Sequence, residues 1–217
     1  LMIYNRDCLE AMKEMKDNQF DLAIVDPPYG IERFKKCSEK DLNNNIKSKK
    51  AKSIPIRFQK MNNVNNNKPT KKYWDELFRV SKNQIIWGAN NFNLPQSEYF
   101  LIWDKKQMMP NFARCELAFV SMKLKKPAKI FEYSIAKHNQ SKKIHPTQKP
   151  VKLYEWLLMN YAKEGDTILD THLGSGSIAI ACHNLGFDLT AYEIDKEYFD
   201  GAKKRIEQHK AQLRIAI

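Results

Sequence analysis

The succession of short apolar runs constrains the fold of this chain most strongly. Each run is bounded by polar or turn-forming residues and predicts a β-strand: "MIY", "DLAIV", "QIIWGA", "YFLIW", "CELAFVS", "KIFEY", "TILD" and "LTAYE". Amphipathic stretches between them predict helices over about 7–16, 73–80 and 151–162, from about 177, and from the last strand to the end. Strands that alternate with helices favour an α/β domain with a mostly parallel sheet. We therefore predict a doubly wound sheet of about seven strands.

The composition limits the size and the partners of this domain. With 42% hydrophobic residues, the 217 residues can bury one core, so we predict a single domain over 1–217. The formal net charge of +12 attracts polyanions, of which nucleic acid is the commonest. On charge alone, a basic protein without such a partner remains an alternative.

Cysteine usage and hydropathy point to the inside of the cell. The cysteines at positions 8, 37, 115 and 182 have neither C-x-x-C pairing nor a ligand-like spacing with histidine. They predict no metal site and no disulfide framework, which fits a reducing compartment. No segment reaches the roughly 20 apolar residues of a membrane span, and no signal peptide is recognisable. We expect a cytoplasmic protein with no membrane partner.

The turn "VDPPYG" (25–30) follows directly on the apolar run "DLAIV". Because neither Pro27 nor Pro28 has an N–H, this turn offers mainly acceptors, namely the Asp26 carboxylate and free carbonyls. Such a site suits a ligand that donates hydrogen bonds, for instance an amino group. The alternative is an ordinary Asp-Pro turn that leads to Gly30.

A second strand runs into the glycine turn of "ILDTHLGSGSIAIA" (168–181). Gly174, Gly176 and Ala179 fit the pattern G-x-G-x-x-G/A, whose glycines let the backbone approach a ligand at a helix N-terminus. The next strand ends in Glu193, where a carboxylate can accept both hydroxyls of a ribose. With a strand before it and a helix after it, the pattern predicts a nucleotide-like ligand. Because this turn and the "DPPY" turn both follow apolar strand runs, we predict that they lie at the carboxyl ends of adjacent strands.

Asp170, at the tip of that strand, distinguishes between two classes of ligand. Its carboxylate would repel the pyrophosphate of a dinucleotide such as NAD. S-adenosylmethionine has no phosphate and brings a ribose, a positive sulfonium and an ammonium, which acidic neighbours favour. We therefore favour S-adenosylmethionine, with a turn or helix-capping role of Asp170 as the alternative.

"DPPY", "HPTQKP" and "LDTHLGSGS" together resemble the motifs of the DNA amino-methyltransferases, which methylate adenine N6 or cytosine N4. Their order resembles the permuted, beta-type arrangement, and the likeness is greatest to small phage-type members. The resemblance implies a Rossmann-like methyltransferase fold with a circularly permuted motif order. Two departures stand out: "DTHLGSG" lacks the family's aromatic residue after the aspartate, and 31–72 matches no recognition module that we can name.

The resemblance also implies a set of site residues. The catalytic residues would be Asp26, Pro27, Pro28 and Tyr29: the Asp26 carboxylate and the Pro27 carbonyl accept the two N–H bonds of the target amino group, and Tyr29 stacks on the extruded base. The residues implied for cofactor binding are Asp7, Thr147, Gln148, Lys149, Asp170, Gly174, Gly176 and Glu193.

Within this second set the resemblance assigns different parts of the cofactor. Asp170 and the two glycines would cradle the methionine part, Glu193 would bind the ribose, and 147–149 would close over the carboxylate. Asp7 would face the adenine half, although a helix N-cap has equal weight and is compatible with this role. A solvated lysine at a helix start is the alternative for Lys149.

The implied reaction is methyl transfer from S-adenosylmethionine to N6 of adenine in DNA, by base flipping and direct in-line transfer. An N4-cytosine enzyme, an RNA adenine methyltransferase and an inactive nucleic-acid-binding subunit remain alternatives. DNA is the predicted partner, and a homodimer is left open. We assign target recognition by elimination to a long Asn- and Lys-rich loop or insertion at 31–72 and to a DNA-facing loop region at 104–145, with a functionless solvated loop as the alternative for 31–72.

Overall fold

A computed structural model describes residues 1–30, 67–108, 110, 112–139, 143–145 and 147–212. Most of the predicted insertion, 31–66, therefore lies outside the described residues. The described strands are β1 (Met2–Tyr4), β2 (Phe20–Val25), β3 (Ser81–Trp87), β4 (Phe100–Asp104), β5 (Cys115–Val120), β6 (Lys129–Glu132), β7 (Thr167–Asp170) and β8 (Asp188–Tyr192).

These strands form one sheet in the order β1-β8-β7-β2-β3-β5-β4-β6. Neighbouring strands are parallel except where β5 pairs with β3 and with β4. The mostly parallel α/β sheet is thus confirmed, but the described chain has eight strands rather than seven. The edge strand β6 extends the sheet beyond β4, because its backbone pairs with β4 while Phe131 packs against the core.

Six α-helices accompany the strands in the described chain: α1 (Cys8–Lys13), α2 (Lys71–Val80), α3 (Ile135–Asn139), α4 (Val151–Tyr161), α5 (Ser177–Leu185) and α6 (Lys196–Lys210). Short 3₁₀ turns occupy 89–91 and 122–124. None of the helices within the described ranges is long and apolar enough to cross a membrane.

Both faces of the sheet are covered, as the side chains of β2 show by packing into a different buried cluster on each face. Its residues alternate between two buried clusters: Leu22 and Ile24 face one, and Ala23 and Val25 face the other. Residues of α4, α5 and α6 complete the first cluster, whereas residues of α1 and α2 complete the second. A central parallel strand of this kind is apolar on both sides, as "DLAIV" predicts.

Two predicted boundaries differ from the structure. The insertion assigned to 31–72 ends earlier, because α2 begins at Lys71 after the Thr70 side chain, which accepts a hydrogen bond from the Tyr73 N–H. The region 104–145 is not a loop throughout. It contains β5, β6 and α3, and Ala118–Val120 of β5 are buried in the sheet because they pair with both β3 and β4.

Candidate active site

The turn "VDPPYG" (25–30) and the glycine turn that follows β7 lie at the same edge of the sheet. β2 pairs in parallel with β7, with Leu22 opposite Ile168 and Ala23 opposite Leu169. Asp26 therefore follows one strand and Gly174 follows its direct neighbour, as the sequence predicts for a doubly wound sheet. This prediction is confirmed by the strand register.

Tyr29 is fixed directly beside Asp26. Its hydroxyl donates to Asp26 Oδ1 at 2.6 Å, and its ring meets Phe92 edge to face with 6.0 Å between centroids. The ring also lies on Gly88, which has a φ of +71°; a Cβ there would be 2.2 Å from Tyr29 Cε1. Position 88 thus needs glycine both for its backbone conformation and for its contact with the tyrosine.

Five side chains from distant parts of the chain meet at this point. This group is called the Lys149 cluster and consists of Asp26, Tyr29, Lys105, Glu116 and Lys149. Lys149 Nζ contacts three acceptors: Asp26 Oδ2 at 2.5 Å, the Tyr29 hydroxyl at 3.0 Å and Glu116 Oε2 at 3.1 Å. Lys105 Nζ lies 2.6 Å from Glu116 Oε1. The three ammonium protons of Lys149 are therefore all used within the cluster.

The pKa values of Lys149 and Glu116 show that each of these two groups favours the charged form of the other. Burial alone would lower the pKa of Lys149, but the carboxylates of Asp26 and Glu116 raise it above its ordinary value. Burial would raise the pKa of Glu116, but Lys149 and Lys105 lower it to about 2. Burial, together with Asp26, raises the pKa of Tyr29 well above its ordinary value, so its hydroxyl keeps its proton. The Lys149 cluster contains two positive and two negative groups and a neutral phenol.

The sequence predicts that Lys149 closes over a cofactor carboxylate, whereas the structure places its ammonium on the side chain of Asp26. Its backbone serves the glycine turn instead, because the Lys149 carbonyl accepts a hydrogen bond from Ser177 Oγ at 2.8 Å. Arg205 Nη1 donates to the same hydroxyl at 2.9 Å and to the Ser175 carbonyl at 2.8 Å. Lys149 thus connects the glycine turn to Asp26.

The glycines of this turn adopt the backbone conformation that the sequence pattern predicts. Gly174 and Gly176 have φ values of +53° and +74°, in the left-handed region, and Gly176 caps the N-terminus of α5. A Cβ on Gly174 would make only ordinary van der Waals contact, with His145 Cγ and the His172 carbonyl oxygen at 3.8 Å, so its positive φ rather than a clash favours glycine here. A Cβ on Gly176 would press on Ile206 at 3.1 Å, which shows a packing role for this glycine.

Asp170 is buried at the end of β7 without an ion-pair partner among the described residues, although the charge of Lys149 acts on it and opposes the rise of its pKa. In the described part of the chain its carboxylate has one recorded hydrogen bond, from the His172 N–H to Oδ1 at 3.0 Å. Burial raises its pKa to about 8, and the charges of Asp26 and Glu193 act in the same direction. A buried carboxyl group of this kind favours a cationic partner.

The two other predicted acidic residues are occupied by backbone amides. Glu193 follows β8 and accepts from the Gly174 N–H at 2.8 Å and from the Asp195 N–H at 3.0 Å, which ties the two strand ends together. Asp7 follows β1 and caps α1 by accepting from the N–H groups of Leu9 and Glu10. The N-cap interpretation of Asp7 is therefore confirmed, and a ribose or adenine contact of either residue stays a prediction.

Thr147 and Gln148 precede Lys149 and differ in exposure. Thr147 is exposed, and its hydroxyl lies 3.1 Å from His145 Nδ1. Gln148 is buried, and its Oε1 accepts from the Ile144 N–H at 3.2 Å. The Gln148 side-chain nitrogen has no hydrogen-bond partner among the described residues. A buried donor without a partner is costly and indicates room for an acceptor.

His172 stands where the resemblance leads us to expect an aromatic residue. Its ring packs against Tyr73 at 5.6 Å between centroids, and its Nδ1 lies 2.9 Å from Thr171 Oγ1. The Tyr73 hydroxyl joins the same Thr171 oxygen at 2.7 Å. Burial lowers the pKa of His172 to about 4, so the ring is neutral at physiological pH and forms a flat wall beside Asp170.

Comparison with known proteins identifies the family. Residues 20–204, most of the chain, match the N6_N4_Mtase family, described as DNA methylase. The chain belongs to this DNA methylase family. The methylase is 26% identical over 227 residues to Type II methyltransferase M.HpaI of Haemophilus parainfluenzae, covering 93% of this chain and 72% of that protein. It is 25% identical over 252 residues to Type II methyltransferase M.HinfI of Haemophilus influenzae, covering 96% and 68%.

The fold of the methylase is also similar to solved structures. The crystal structure of the M1.HpyAVI–SAM complex superposes with a TM-score of 0.55 at 23% identity, over 94% of this chain and 98% of that one. The predictions of an N6/N4-type DNA methyltransferase, of its Rossmann-like fold and of S-adenosylmethionine as its cofactor are thereby confirmed.

Sequence reasoning missed Lys105 and Glu116. Lys105 lies in "IWDKKQ", a stretch that resembles the family but carries no assigned role, and Glu116 lies in none of the motifs. Lys105 follows β4, Glu116 lies in the antiparallel strand β5, and cross-strand pairing of Trp103 with Glu116 brings them together. A faint signal exists, because a charged residue at the start of "CELAFVS" breaks an otherwise apolar strand. The contact of Glu116 with Lys105 could not be predicted without the register of β4 against β5.

Proposed function

We propose that this methylase transfers a methyl group to the N6 amino group of adenine in DNA, with Asp26 as the acceptor that holds this amino group. One observation carries the proposal: Asp26, with its proline carbonyl acceptors, lies at the carboxyl end of β2, beside the glycine turn that follows β7. A base held by Asp26 therefore lies next to a ligand bound at the glycine turn. Ligands of open α/β sheets bind at this end of the strands.

The residues around the glycine turn fit S-adenosylmethionine. The buried Asp170 carboxyl has no cationic side chain among its recorded partners in the described chain, which suits an ammonium or sulfonium group. The unpartnered Gln148 nitrogen suits an acceptor such as a carboxylate. Gly174 has no side chain, which lets a ligand approach its backbone closely. Asp170, Gln148 and Gly174 would thus hold the methionine part, and Glu193 would lie towards the ribose.

The bound cofactor supplies an electrophilic methyl group on a positively charged sulfur. The chain itself has to hold the amino nitrogen in line with this methyl group, since alignment provides much of the rate acceleration. The Asp26 carboxylate and the Pro27 carbonyl accept the two N–H bonds and stabilise the positive charge that develops on the nitrogen. After transfer, the methylated amino group loses one proton and becomes neutral.

Tyr29 has to change its hydrogen bond when a base enters. Its hydroxyl now occupies Asp26 Oδ1, the acceptor that the amino group requires. Displacement of the phenol from this oxygen would free Oδ1, while the ring beside Phe92 remains available for stacking on the extruded base. Asp26 Oδ2 stays on Lys149 throughout.

The family resemblance favours adenine over cytosine as the target base, because position 26 is an aspartate. Members with Asp at the first position of this motif mostly modify adenine, whereas N4-cytosine enzymes more often carry Ser. DNA as the substrate is supported by the DNA methylase family and by the charge of the chain. The homodimer and the cytoplasmic location stay predictions.

Identification of the product tests this function. The protein is incubated with labelled S-adenosylmethionine and either unmethylated DNA or RNA, and the nucleosides are separated by mass spectrometry. We expect N6-methyladenine from DNA. N4-methylcytosine without N6-methyladenine, or a product in RNA alone, would refute the proposal, and Asp26→Ala run in parallel excludes a contaminating enzyme.

A further inference from the structure

Glu116 is the part of the Lys149 cluster to which the reaction outlined above gives no role. It lies in β5, more than 30 positions from Lys149 in the sequence, and none of the recognised motifs contains it. Both of its oxygens are nevertheless bound by ammonium groups, Oε1 by Lys105 at 2.6 Å and Oε2 by Lys149 at 3.1 Å. A carboxylate held in this way in a partly buried pocket requires an electrostatic explanation.

The explanation lies in what Lys149 does to Asp26. An ammonium 2.5 Å from Asp26 Oδ2 opposes the positive charge that develops on the amino nitrogen held by the same carboxylate. Glu116 contacts the same ammonium and offsets this opposition, because two carboxylates share the charge of Lys149. Lys105 in turn compensates Glu116, so that the cluster carries no net charge.

We propose that Glu116 is a positioning residue for methyl transfer, which balances Lys149 and Lys105 so that Asp26 retains its strength as an acceptor for the target amino group. The inference rests on the proposed function. Without Glu116, two ammonium groups face one carboxylate, and the pocket carries a net positive charge at the point where the reaction creates another. Lys149 also binds Asp26 more tightly, which withdraws the carboxylate from the base.

The test compares a variant that removes the charge of Glu116 with a double variant that restores the charge balance of the cluster. Glu116→Gln keeps the shape of the side chain and removes its charge, and we expect the single-turnover rate of methyl transfer to fall at least about tenfold, with a smaller change in KM for DNA. Addition of Lys105→Met to the same chain restores neutrality, and we expect most of the rate to return. If Glu116 had only a structural role, the double variant would be no faster than Glu116→Gln, because it loses a further packed side chain.

A matched control comes from an exposed pair on α6. Glu207 and Lys210 are linked at 3.3 Å and lie away from the cluster, so Glu207→Gln with or without Lys210→Met leaves the rate unchanged. The melting temperature of the ligand-free protein gives a readout without activity: Glu116→Gln lowers it and Lys105→Met partly restores it, whereas the α6 pair shows no such coupling.

The outcomes separate the inference from the proposed function. If the wild-type protein methylates neither DNA nor RNA, the proposed function fails and the inference fails with it. If the wild type is active but the double variant is no faster than Glu116→Gln, the proposed function stands and the charge-balancing role of Glu116 is wrong. If Glu116→Gln alone transfers methyl groups at the wild-type rate, Glu116 has no positioning role.

Discussion

Asp26 and Asp170 are carboxyl groups at the ends of two adjacent parallel strands, but their surroundings are opposite. Asp26 lies 2.5 Å from the ammonium of Lys149 and accepts a hydrogen bond from Tyr29. Asp170 is more deeply buried, has the His172 N–H as its recorded partner in the described chain, and has its pKa raised to about 8 by burial. The protein places an ammonium in direct contact with one carboxylate, whereas the described residues place none in contact with the other.

The difference matches the two ligands that we assign to these strand ends. The target amino group is neutral before the reaction and brings no countercharge, so the positive charge beside its acceptor Asp26 comes from the protein itself. A cofactor with an ammonium and a sulfonium brings its own positive charge, so Asp170 needs none from the protein. An unpaired buried carboxyl is costly in the free protein, and a cationic ligand relieves this cost when it binds.

Asp26→Ala is expected to have the largest effect on activity. Loss of the acceptor leaves Lys149 facing the nitrogen on which positive charge develops, so the methyl-transfer rate falls by at least about 10³-fold. The dissociation constant of S-adenosylmethionine, measured by calorimetry, changes little, because Asp170 and the glycine turn are untouched. Loss of cofactor binding in Asp26→Ala, together with retained cofactor binding in Asp170→Ala, would reverse the roles that we give to the two carboxylates.

Lys149→Met tests how much the ammonium shared by Asp26 and Glu116 contributes to the stability of the protein. It leaves Asp26 and Glu116 without their shared ammonium, and breaking a buried ion pair on one side lowers the free energy of unfolding by about 3–5 kcal/mol. The matched variant Lys152→Met breaks the pair with Glu155, in which Lys152 is exposed, and costs less than about 1 kcal/mol. Equal costs in urea unfolding would mean that the cluster is no more than a surface ion pair.

The buried position of Asp170, which has no ion-pair partner among the described residues, predicts that cofactor binding depends on pH. Because burial raises the pKa of Asp170 to about 8, the group is largely protonated in the free protein below that pH, and a cationic ligand has to release the proton. Affinity for S-adenosylmethionine therefore rises with pH by up to about tenfold per unit and levels off above about 8.

Asp170→Asn provides the control for this prediction. The amide cannot titrate, so the variant binds more weakly and loses the proton release that calorimetry in buffers of different ionisation enthalpy detects at pH 7. If the wild type releases no proton on binding, Asp170 is not the group that meets the cation.

His172→Phe should give the smallest effect. Removal of the contact with Thr171 lowers the free energy of unfolding by about 0.5–1.5 kcal/mol. The neutral imidazole contributes no charge, since burial lowers its pKa to about 4, so the pH profile of cofactor binding keeps its shape. A profile that changes in this variant would show that His172 supplies a countercharge to Asp170, and the contrast with Asp26 would be lost.

The strand ends were predictable from the sequence because they depend on local patterns. An apolar run followed by "DPPY", and another followed by a glycine turn, each mark the carboxyl end of a buried strand, and parallel pairing then brings them to one edge. The conformation of Gly174 and Gly176 and the N-cap at Asp7 follow from equally local rules.

The charges around Asp26 were not predictable in the same way. Lys105 and Glu116 meet it through the antiparallel pairing of β4 with β5, and a shift of one residue in that register would turn Glu116 to the other face. The side chain of Lys149 has two carboxylates within reach, and only the folded structure decides between them and a ligand. Likewise, the run "KIFEY" predicts a strand, but only the folded structure shows that this strand joins the sheet as an eighth member beside β4.

The order of the strands along the chain has a consequence for synthesis on the ribosome. β2 is complete by residue 25, but β7, which pairs with one of its edges, begins at residue 167. At ordinary translation speeds this delay is on the order of ten seconds, during which that edge of β2 lacks its partner. A nascent chain with an open apolar edge is prone to associate with other chains. The turn that follows β2 is thus synthesised well before β7 and the glycine turn, beside which it lies in the folded methylase.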